Sequence, residues 1–257
     1  MNHPKAIVTN AIVPLRAKPD DRSEMESQLL FGETFEILNN REQWYLIRND
    51  FDGYEGWIDR KSFMIIDKKI RKNGVYIVSP TASIRLPDNS LMHLTAGAFL
   101  PSYDITRKVF GIHKEIYSLE EGETVDGEQS IDFLMQLAAS YLNAPYLWGG
   151  MTHFGIDCSG FTQMLFRISG VARLPRNASQ QAKEGRLIDF ENRQPGDLAF
   201  FVNPAGKIHH VGLVWFDGKI IHAHGKVRID RLDIDGIFNE KTQILTHTLA
   251  AIKRIVK

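Results

Sequence analysis

Apolar and polar residues alternate over short stretches in the first 66 residues, as in AIVPLRAKPDD, GETFEILNN and QWYLIRND. Pairs that favour turns, among them Pro-Asp, Asn-Asn and Asp-Gly, interrupt these stretches at intervals of roughly eight to twelve residues. Alternation with a period of two is typical of strands with one buried face. Strands of this kind and spacing predict a small antiparallel barrel over residues 1–66.

The same pattern of short strands returns after a charged stretch, DKKIRKNG (Asp67–Gly74), which we expect to act as a connector. Two segments carry this pattern, VYIVSPTASIRLPDNSLMHLTAGAFLPSYD and KVFGIHKEIYSL. The acidic stretch EEGETVDGEQ (Glu120–Gln129) ends the region. The pattern predicts a second, more divergent barrel over residues 67–125.

From Ser130 the apolar residues follow a helical period. Ser130 can cap a helix over IDFLMQLAASYL, and a second helix, SGFTQMLFRISG, begins at Cys158 and has Gly170 as a stop signal. The later segments DLAFFV, HVGLVWF, KIIHAHG, RIDRL and LAAIKRIV are typical of strands. Residues 126–257 are therefore predicted to form an α+β domain, in which a helix carries the cysteine and an antiparallel sheet carries histidines.

The charge and hydropathy of the chain argue against several function classes. Lys plus Arg (31) equals Asp plus Glu (31), whereas nucleic-acid binders carry a basic excess. No apolar run approaches the roughly 18 residues of a membrane helix, and the start, MNHPKAIVTN, lacks the apolar core of a signal peptide. We therefore expect a cytoplasmic protein without a membrane span and without a nucleic-acid partner.

Cys158, in the stretch FGIDCSGF, is the single cysteine of the chain. A free cysteine is often a buried apolar residue, but three features favour a nucleophile here. The predicted helix N-terminus stabilises a thiolate through its free N–H groups and its dipole. Asp157 is placed as the N-cap, and histidines follow in HHVGLV and IIHAHG. A cysteine followed by a strand-borne histidine is typical of papain-like catalysis, in which the imidazole takes the thiol proton.

The histidines also allow a metal site, formed by His210, His222 and His224. Catalytic zinc sites generally use three protein ligands, but no Asp or Glu of suitable spacing lies nearby in the sequence. Nucleophilic catalysis is therefore favoured, and we expect no metal and no cofactor. His209 and His210 are adjacent, so on a strand they point to opposite faces and only one can face the cysteine.

The turn at Asp217-Gly218 decides whether His210 and His222 share a face of the sheet. A two-residue turn would pair Leu213 with His222 and would place the two histidines on opposite faces. If both histidines act in one site, the register must be shifted by one residue, as a type I turn with a left-handed Gly218 and a G1 bulge provides. In that case we predict a bulged turn here.

The segments PYLWGGMTHFGIDCSGFTQMLF, LPRNASQQAKEG, QPGDLAFF and HHVGLVWFDGKIIHAHG occur in the order of one known family. Over about residues 130–230 the chain resembles the NlpC-type family of cell-wall cysteine peptidases. The N-terminal half, with YEGWI near the end of its first barrel, resembles the bacterial SH3-like modules attached to such peptidases. The resemblance implies a papain-like peptidase domain preceded by two small SH3-like barrels.

The resemblance also assigns catalytic roles. It implies that Cys158 is the nucleophile, His210 the general base and His222 the polar residue that orients the base. His210 matches the family's HVG motif and His222 its IHA motif, whereas His209 is expected to point away. Before the cysteine, Tyr146 either offers its hydroxyl to the oxyanion beside the backbone N–H of Cys158 or serves in packing.

Two modules followed by a peptidase domain resemble the layout of the γ-D-glutamyl-L-diamino acid endopeptidases that process murein peptides. The resemblance implies action in wall-peptide recycling, on murein peptides with a free N-terminal L-alanine. We expect a monomer. The alternatives are a wall-binding protein whose peptidase domain is inactive, and an amidase or acyltransferase on the same scaffold.

The same resemblance suggests residues that bind the substrate. Positions like Asp157, Ser159 and Ser179 help hold the free amino group in those endopeptidases. A carboxylate and hydroxyls near the nucleophile suit an ammonium, although the helix-cap role of Asp157 competes. Tyr54 and Glu55, in GYEGWI, are expected to close the cleft from the first barrel.

Overall fold

The computed structural model describes residues 3–66 and 73–255 of the 257-residue chain. The chain divides into two compact units, 1–127 and 128–257. Most of the predicted connector, residues 67–72, lies outside the described residues.

The strands of the first 66 residues form one antiparallel sheet in the order β3-β2-β6-β5-β4-β1-β7. They are β1 (Lys5–Val8), β2 (Ile12–Arg16), β3 (Met25–Leu30), β4 (Thr34–Arg41), β5 (Trp44–Asn49), β6 (Glu55–Asp59) and β7 (Phe63–Ile66), with a 3-10 helix at Arg60–Ser62. Alternate residues such as Val13 and Leu15 lie in the core of this sheet. The predicted alternation is confirmed here, because one face of each such strand packs inward.

Residues 74–125 form two further sheets of the same unit, in the orders β10-β9-β13-β12 and β11-β8-β14. Their strands are β8 (Gly74–Ile77), β9 (Ala82–Arg85), β10 (Leu91–Leu94), β11 (Phe99–Pro101), β12 (Val109–Ile112), β13 (Glu115–Glu121) and β14 (Thr124–Val125). Their core includes Ile7 of β1 and Phe31 of the turn after β3, so the two parts of this unit share apolar contacts. The predicted module boundaries at residues 66 and 125 stay predictions.

The C-terminal unit combines three helices with a seven-stranded antiparallel sheet and a short hairpin of β15 and β16. The helices are α1 (Ile131–Ser140), α2 (Cys158–Ile168) and α3 (Ala178–Gln181). The strands are β15 (Met151–Thr152), β16 (Gly155–Ile156), β17 (Arg186–Ile188), β18 (Leu198–Val202), β19 (Ile208–Val214), β20 (Lys219–His224), β21 (Lys226–Asp233), β22 (Gly236–Asn239) and β23 (Ile244–Arg254), with a 3-10 helix at Phe190–Asn192. The sheet order is β17-β23-β18-β19-β20-β21-β22, and β22 also pairs with β23, which closes six strands into a ring.

Helix α2 is buried along its whole length and packs against β19. It begins at Cys158 because Asp157, in an extended conformation, accepts a hydrogen bond from the Gly160 amide at 2.7 Å. Gly170, with a φ of 68°, follows its C-terminal end. Both predicted ends are confirmed. Across the described residues, no helix has the length and apolar character needed to cross a bilayer.

Candidate active site

The thiol of Cys158 lies at the first residue of α2, where the helix meets β19. Only 5% of the residue is exposed. The backbone amides of Ser159, the next residue, and of Val211 on β19 interact with its sulfur and act to lower the pKa of the thiol. Because Val211 directly follows His210, this contact brings the cysteine to the strand position next to the predicted base.

Burial sets the protonation of the Cys158 thiol and the His210 imidazole. Loss of solvent raises the pKa of Cys158 to about 12; the carboxylate of Asp157 adds to the shift, while the two amides and Arg176 oppose it. Burial also lowers the pKa of His210 well below its usual value. The predicted thiolate at the helix end is therefore wrong for the resting site, because burial and Asp157 outweigh the two amides and Arg176. Thiol and imidazole are therefore both neutral near pH 7.

The carboxylate of Asp157 is the centre of a buried network next to the nucleophile. Arg176 donates to both of its oxygens, at 3.0 Å to Oδ1 and 2.5 Å to Oδ2. The backbone amides of Gly160 and Gly149 also donate to Oδ1 and Oδ2, at 2.7 and 2.9 Å. Arg176 donates a further bond to the hydroxyl of Ser159 at 3.0 Å. The network ties the loop before the nucleophile to the first turn of α2 and pairs the buried carboxylate with a cation.

The three residues predicted to bind an ammonium in this unit differ in their surroundings. Asp157 and Ser159 are buried and engaged with Arg176, so a substrate ammonium has to compete with donors already in place. Ser179, on α3, is exposed. The cap role of Asp157 is confirmed, whereas substrate contacts by these three residues stay predictions.

His210 and His222 meet on neighbouring strands, and a carboxylate completes the series. Nε2 of His210 lies 2.8 Å from Nδ1 of His222, and Nε2 of His222 lies 3.0 Å from Oδ2 of Asp230. Arg228 donates to the other oxygen of Asp230 at 2.7 Å. His210 and His222 are 4% and 0% exposed. Strands β19, β20 and β21 thus align a hydrogen-bonded relay of His210, His222 and Asp230.

The turn between β19 and β20 sets a register in which His210 and His222 lie on the same face of the sheet. Leu213 pairs with Ile221, one residue away from the partner that a two-residue turn would give. The predicted register shift and the left-handed Gly218, with a φ of 68°, are confirmed. Asp217 also has a positive φ of 55°, so the predicted type I turn, with a single left-handed residue, is wrong in this detail.

The shifted register explains the glycine after His210-Val211. A Cβ added to Gly212 would lie 2.8 Å from Cβ of His222 and 2.7 Å from Cδ1 of Ile220. Real side chains do not approach so closely, so only glycine lets His222 sit against β19. The HVG motif therefore supplies both the predicted base, His210, and the space for His222 beside it.

Comparisons with known proteins show which family the chain resembles. A family model described as the NlpC/P60 family matches residues 143–246, and one described as the bacterial dipeptidyl-peptidase Sh3 domain matches residues 15–63. The γ-D-glutamyl-L-lysine dipeptidyl-peptidase of Bacillus subtilis (strain 168) is 30% identical over 214 residues, which cover 77% of this chain and 72% of that protein. The chain belongs to the NlpC/P60 family. It is a cysteine peptidase, a hydrolase that acts on peptidoglycan, with an N-terminal SH3 domain.

Further relatives of this NlpC/P60 peptidase extend over most of its length. The γ-D-glutamyl-L-lysine dipeptidyl-peptidase of Bacillus cereus (strain ATCC 10987 / NRS 248) is 27% identical and covers 85% of this chain and 74% of its own. The crystal structure of an NlpC/P60 family protein from Bacillus cereus ATCC 10987 matches with a TM-score of 0.83 at 21% identity, over 98% of this chain and all of that one. That likeness shows a shared fold along the chain.

Further imidazoles surround His210 in this NlpC/P60 peptidase. The ring of His247, on β23, stacks on His210 with centroids 4.2 Å apart. Burial lowers the pKa of His247 to about 3. His209 is exposed while His210 is buried, so the predicted assignment of faces is confirmed. In the part of the chain that the structure describes, no three His, Cys, Asp or Glu side chains are placed to hold a metal ion.

Tyr146 lies close enough to the nucleophile to interact with it electrostatically. Burial raises the pKa of the Tyr146 phenol to about 12, and Cys158 and Asp157 act in the same direction. The hydroxyl therefore stays protonated and can donate a hydrogen bond over the whole range in which such an enzyme works. Its role at the oxyanion stays a prediction.

Tyr54 and Glu55 belong to the N-terminal unit. Tyr54 is partly buried against the core of the first sheet. Glu55 is exposed on β6 and pairs with Arg48 at 2.7 Å. Their predicted contact with substrate stays a prediction.

Three residues of the site were not singled out from the sequence, namely Asp230, Arg176 and His247. Asp230 lies in RIDRL, which was recognised only as a strand, and Arg176 lies in the motif segment LPRNASQQAKEG. His247 comes 37 positions after His210 and reaches it only because β23 joins β18 at the centre of the sheet. The available signal for Asp230 was an acidic residue on the strand that directly follows IIHAHG.

Proposed function

We propose that this chain is an endopeptidase that hydrolyses the γ-D-glutamyl–diamino acid bond of short murein peptides with a free N-terminal L-alanine. The observation that carries the proposal is the contact of a helix-borne Cys158 with the strand that bears the relay. The choice of substrate is supported by the two Bacillus relatives named γ-D-glutamyl-L-lysine dipeptidyl-peptidase.

The proposed reaction follows a papain-like course. The sulfur of Cys158 attacks the γ-carbonyl carbon of the D-glutamyl residue while its proton passes to His210. Charge develops on the carbonyl oxygen, where the hydroxyl of Tyr146 and the backbone N–H of Cys158 are the proposed donors. His210 returns the proton to the amine of the diamino acid as the C–N bond breaks, which leaves a thioester on Cys158.

Water completes the cycle. His210, again neutral, takes a proton from a water molecule, whose oxygen attacks the thioester carbonyl. The C–S bond breaks, the sulfur regains a proton from His210, and L-Ala-γ-D-Glu leaves as a free acid. His222 holds the ring of His210 in place throughout, through the 2.8 Å contact. The Asp157–Arg176 network keeps the nucleophile fixed at the helix end.

We propose that substrate selection depends on the free ammonium of the L-alanine. Asp157, Ser159 and Ser179, together with Tyr54 and Glu55 from the first barrel, are the proposed contacts. A blocked amine would leave such polar groups unpaired, at a cost of about 1–3 kcal/mol each. The proposed setting is cytoplasmic recycling by a monomer, in which N-terminal modules that exclude long or capped peptides protect intact wall precursors.

The direct test is incubation of the purified protein with L-Ala-γ-D-Glu-diaminopimelate and with its L-lysine counterpart, with the products identified by mass spectrometry. We expect L-Ala-γ-D-Glu and the free diamino acid, and no product from the Cys158→Ala variant. Binding to sacculi without cleavage of either peptide would support a wall-binding protein instead. Transfer of the acyl group to an added amine with no hydrolysis would support an acyltransferase.

A further inference from the structure

We propose that Asp230 is a positioning residue that fixes the tautomers of His222 and His210 and so selects the nitrogen of His210 that acts as the base. The effect of Asp230 on catalysis rests on the proposed function, whereas its effect on the tautomers of the two histidines does not. Asp230 lies on β21, two residues beyond Arg228, which pairs with His222 on β20. Residues two apart on a strand share a face, so Arg228, Asp230 and His222 point to the same side.

The charge on Asp230 determines the direction of the first hydrogen bond. Burial acts to raise the pKa of Asp230, but hydrogen bonds from His222 and Arg228 outweigh it and hold the pKa below its usual range. Asp230 is therefore a carboxylate, which can only accept hydrogen bonds. Nε2 of His222, at 3.0 Å, must carry the proton that it donates to Oδ2.

The rest of the relay follows from the neutrality of the two imidazoles. Burial lowers the pKa of His222, although Asp230 opposes the shift, so the ring is neutral near pH 7 and its Nδ1 is an acceptor. Nε2 of His210, 2.8 Å away, must then be the donor. A neutral His210 that carries its proton on Nε2 has its basic lone pair on Nδ1. Asp230 thus leaves Nδ1 as the single nitrogen of His210 able to receive the thiol proton.

Because of Arg228, replacing one carboxylate oxygen of Asp230 by an NH₂ group should change the tautomers of both histidines. An Asp230→Asn variant keeps the shape of the side chain but has one amide oxygen and one amide nitrogen. The guanidinium of Arg228, 2.7 Å from Oδ1, cannot accept a hydrogen bond, so the oxygen of the substituted amide must face it. The NH₂ group then faces Nε2 of His222, which has to become an acceptor. The proton of His222 moves to Nδ1, and that of His210 moves to its own Nδ1, the wrong nitrogen for the base.

The experiment compares the wild type with Asp230→Asn, Arg228→Met and the double variant. Histidines labelled with ¹⁵N report their tautomers by NMR at pH 7, and a His222→Gln variant assigns the His222 signals. In the wild type we expect protonated Nε2 on both His222 and His210. In Asp230→Asn we expect the proton on Nδ1 of both rings. The wild-type spectrum alone tests the proposal, even if a variant fails to fold; protonated Nδ1 on His222 there would overturn it.

Activity provides the second readout, on the peptide of the proposed function. Asp230→Asn should lower kcat by about 10²- to 10⁴-fold, the usual contribution of a positioned general base. Arg228→Met alone should change it less than about tenfold. In the double variant the amide is free to turn its oxygen to His222, so activity should rise at least about tenfold above Asp230→Asn, a recovery that a merely structural role would not give.

The two possible failures are distinguishable. Unchanged tautomers in Asp230→Asn, or no recovery in the double variant, would overturn the role of Asp230 even if the peptide is cleaved. The expected tautomers without cleavage of any γ-D-glutamyl peptide would support the role of Asp230 and contradict the proposed function.

Discussion

Acid should destabilise the C-terminal unit, because it buries imidazoles that are neutral when the chain is folded. Burial lowers the pKa of His247 to about 3 and that of His153 to about 4. The ring of His153 stacks on Tyr141 at 3.5 Å, and its Nδ1 is buried without a hydrogen-bond partner among the described residues. A proton on that nitrogen would have no acceptor.

The sign and the size follow from proton linkage. An unfolded histidine titrates near 6.5, so between that pH and the folded pKa the unfolded chain binds a proton that the folded chain does not. Stability is therefore full above pH 6.5 and falls as the pH falls. The value pH 5 lies about 1.5 pH units below the pKa of an unfolded histidine. At about 1.4 kcal/mol per pH unit, His247 and His153 each lower the free energy of unfolding by about 2 kcal/mol at this pH. His210 and His222 shift in the same direction and add to the loss.

The assay is urea denaturation followed by circular dichroism at pH 7, 6 and 5. Between pH 7 and pH 5 the wild type should lose at least about 4 kcal/mol of the free energy of unfolding, a large part of the 5–15 kcal/mol typical of a domain. His247→Gln and His153→Gln should each reduce that loss by about 2 kcal/mol, whereas His209→Gln, at an exposed position, should not. Equal stability at pH 7 and pH 5, or an undiminished loss in the two buried variants, would refute the reasoning.

Three further results are expected. Iodoacetamide should alkylate Cys158 more slowly at pH 7 than it does a free thiol, with a rate that still rises above pH 9, because burial raises the pKa of the thiol; fast alkylation with a plateau below pH 7 would show a stable thiolate instead. Gly212→Ala should lower kcat by at least about tenfold and cost about 1–3 kcal/mol of stability, because its Cβ would displace His222; unchanged activity in a folded variant would contradict the close contact. N-acetylation of the substrate's L-alanine should cut turnover by orders of magnitude, and Glu55→Ala should narrow the gap between free and acetylated peptides; equal cleavage of both peptides would rule out selection by the ammonium.

The local part of the site could be predicted from the sequence. The N-cap of α2 depends on Asp157 and the residues after it, and the opposite faces of His209 and His210 depend on strand geometry alone. The register shift at Asp217-Gly218 followed from the need to place two histidines on one face. Each of these inferences uses interactions between residues close in the chain, which a pattern records.

The non-local part could not be predicted. Arg176 bonds Asp157 from 19 residues further along the chain. His247 stacks on His210 although β18 lies between their strands in the sheet. Neither contact leaves a periodic signal in the sequence. Asp230 faces His222 only in the register of the β20–β21 hairpin. The pKa of the thiol depends on how completely the fold removes water, and this burial outweighs the backbone amides that favour the thiolate.

The most direct test of the central claim is the cleavage of L-Ala-γ-D-Glu-diaminopimelate by the wild type and by single variants of the site, followed by mass spectrometry. We expect cleavage at the γ-D-glutamyl bond. Cys158→Ala and His210→Ala should lose activity to the same extent, because members of one catalytic unit are not additive. His222→Ala should lose less, and His209→Ala should retain nearly full activity. Cleavage by Cys158→Ala, or loss of activity in His209→Ala with His210→Ala still active, would contradict the account.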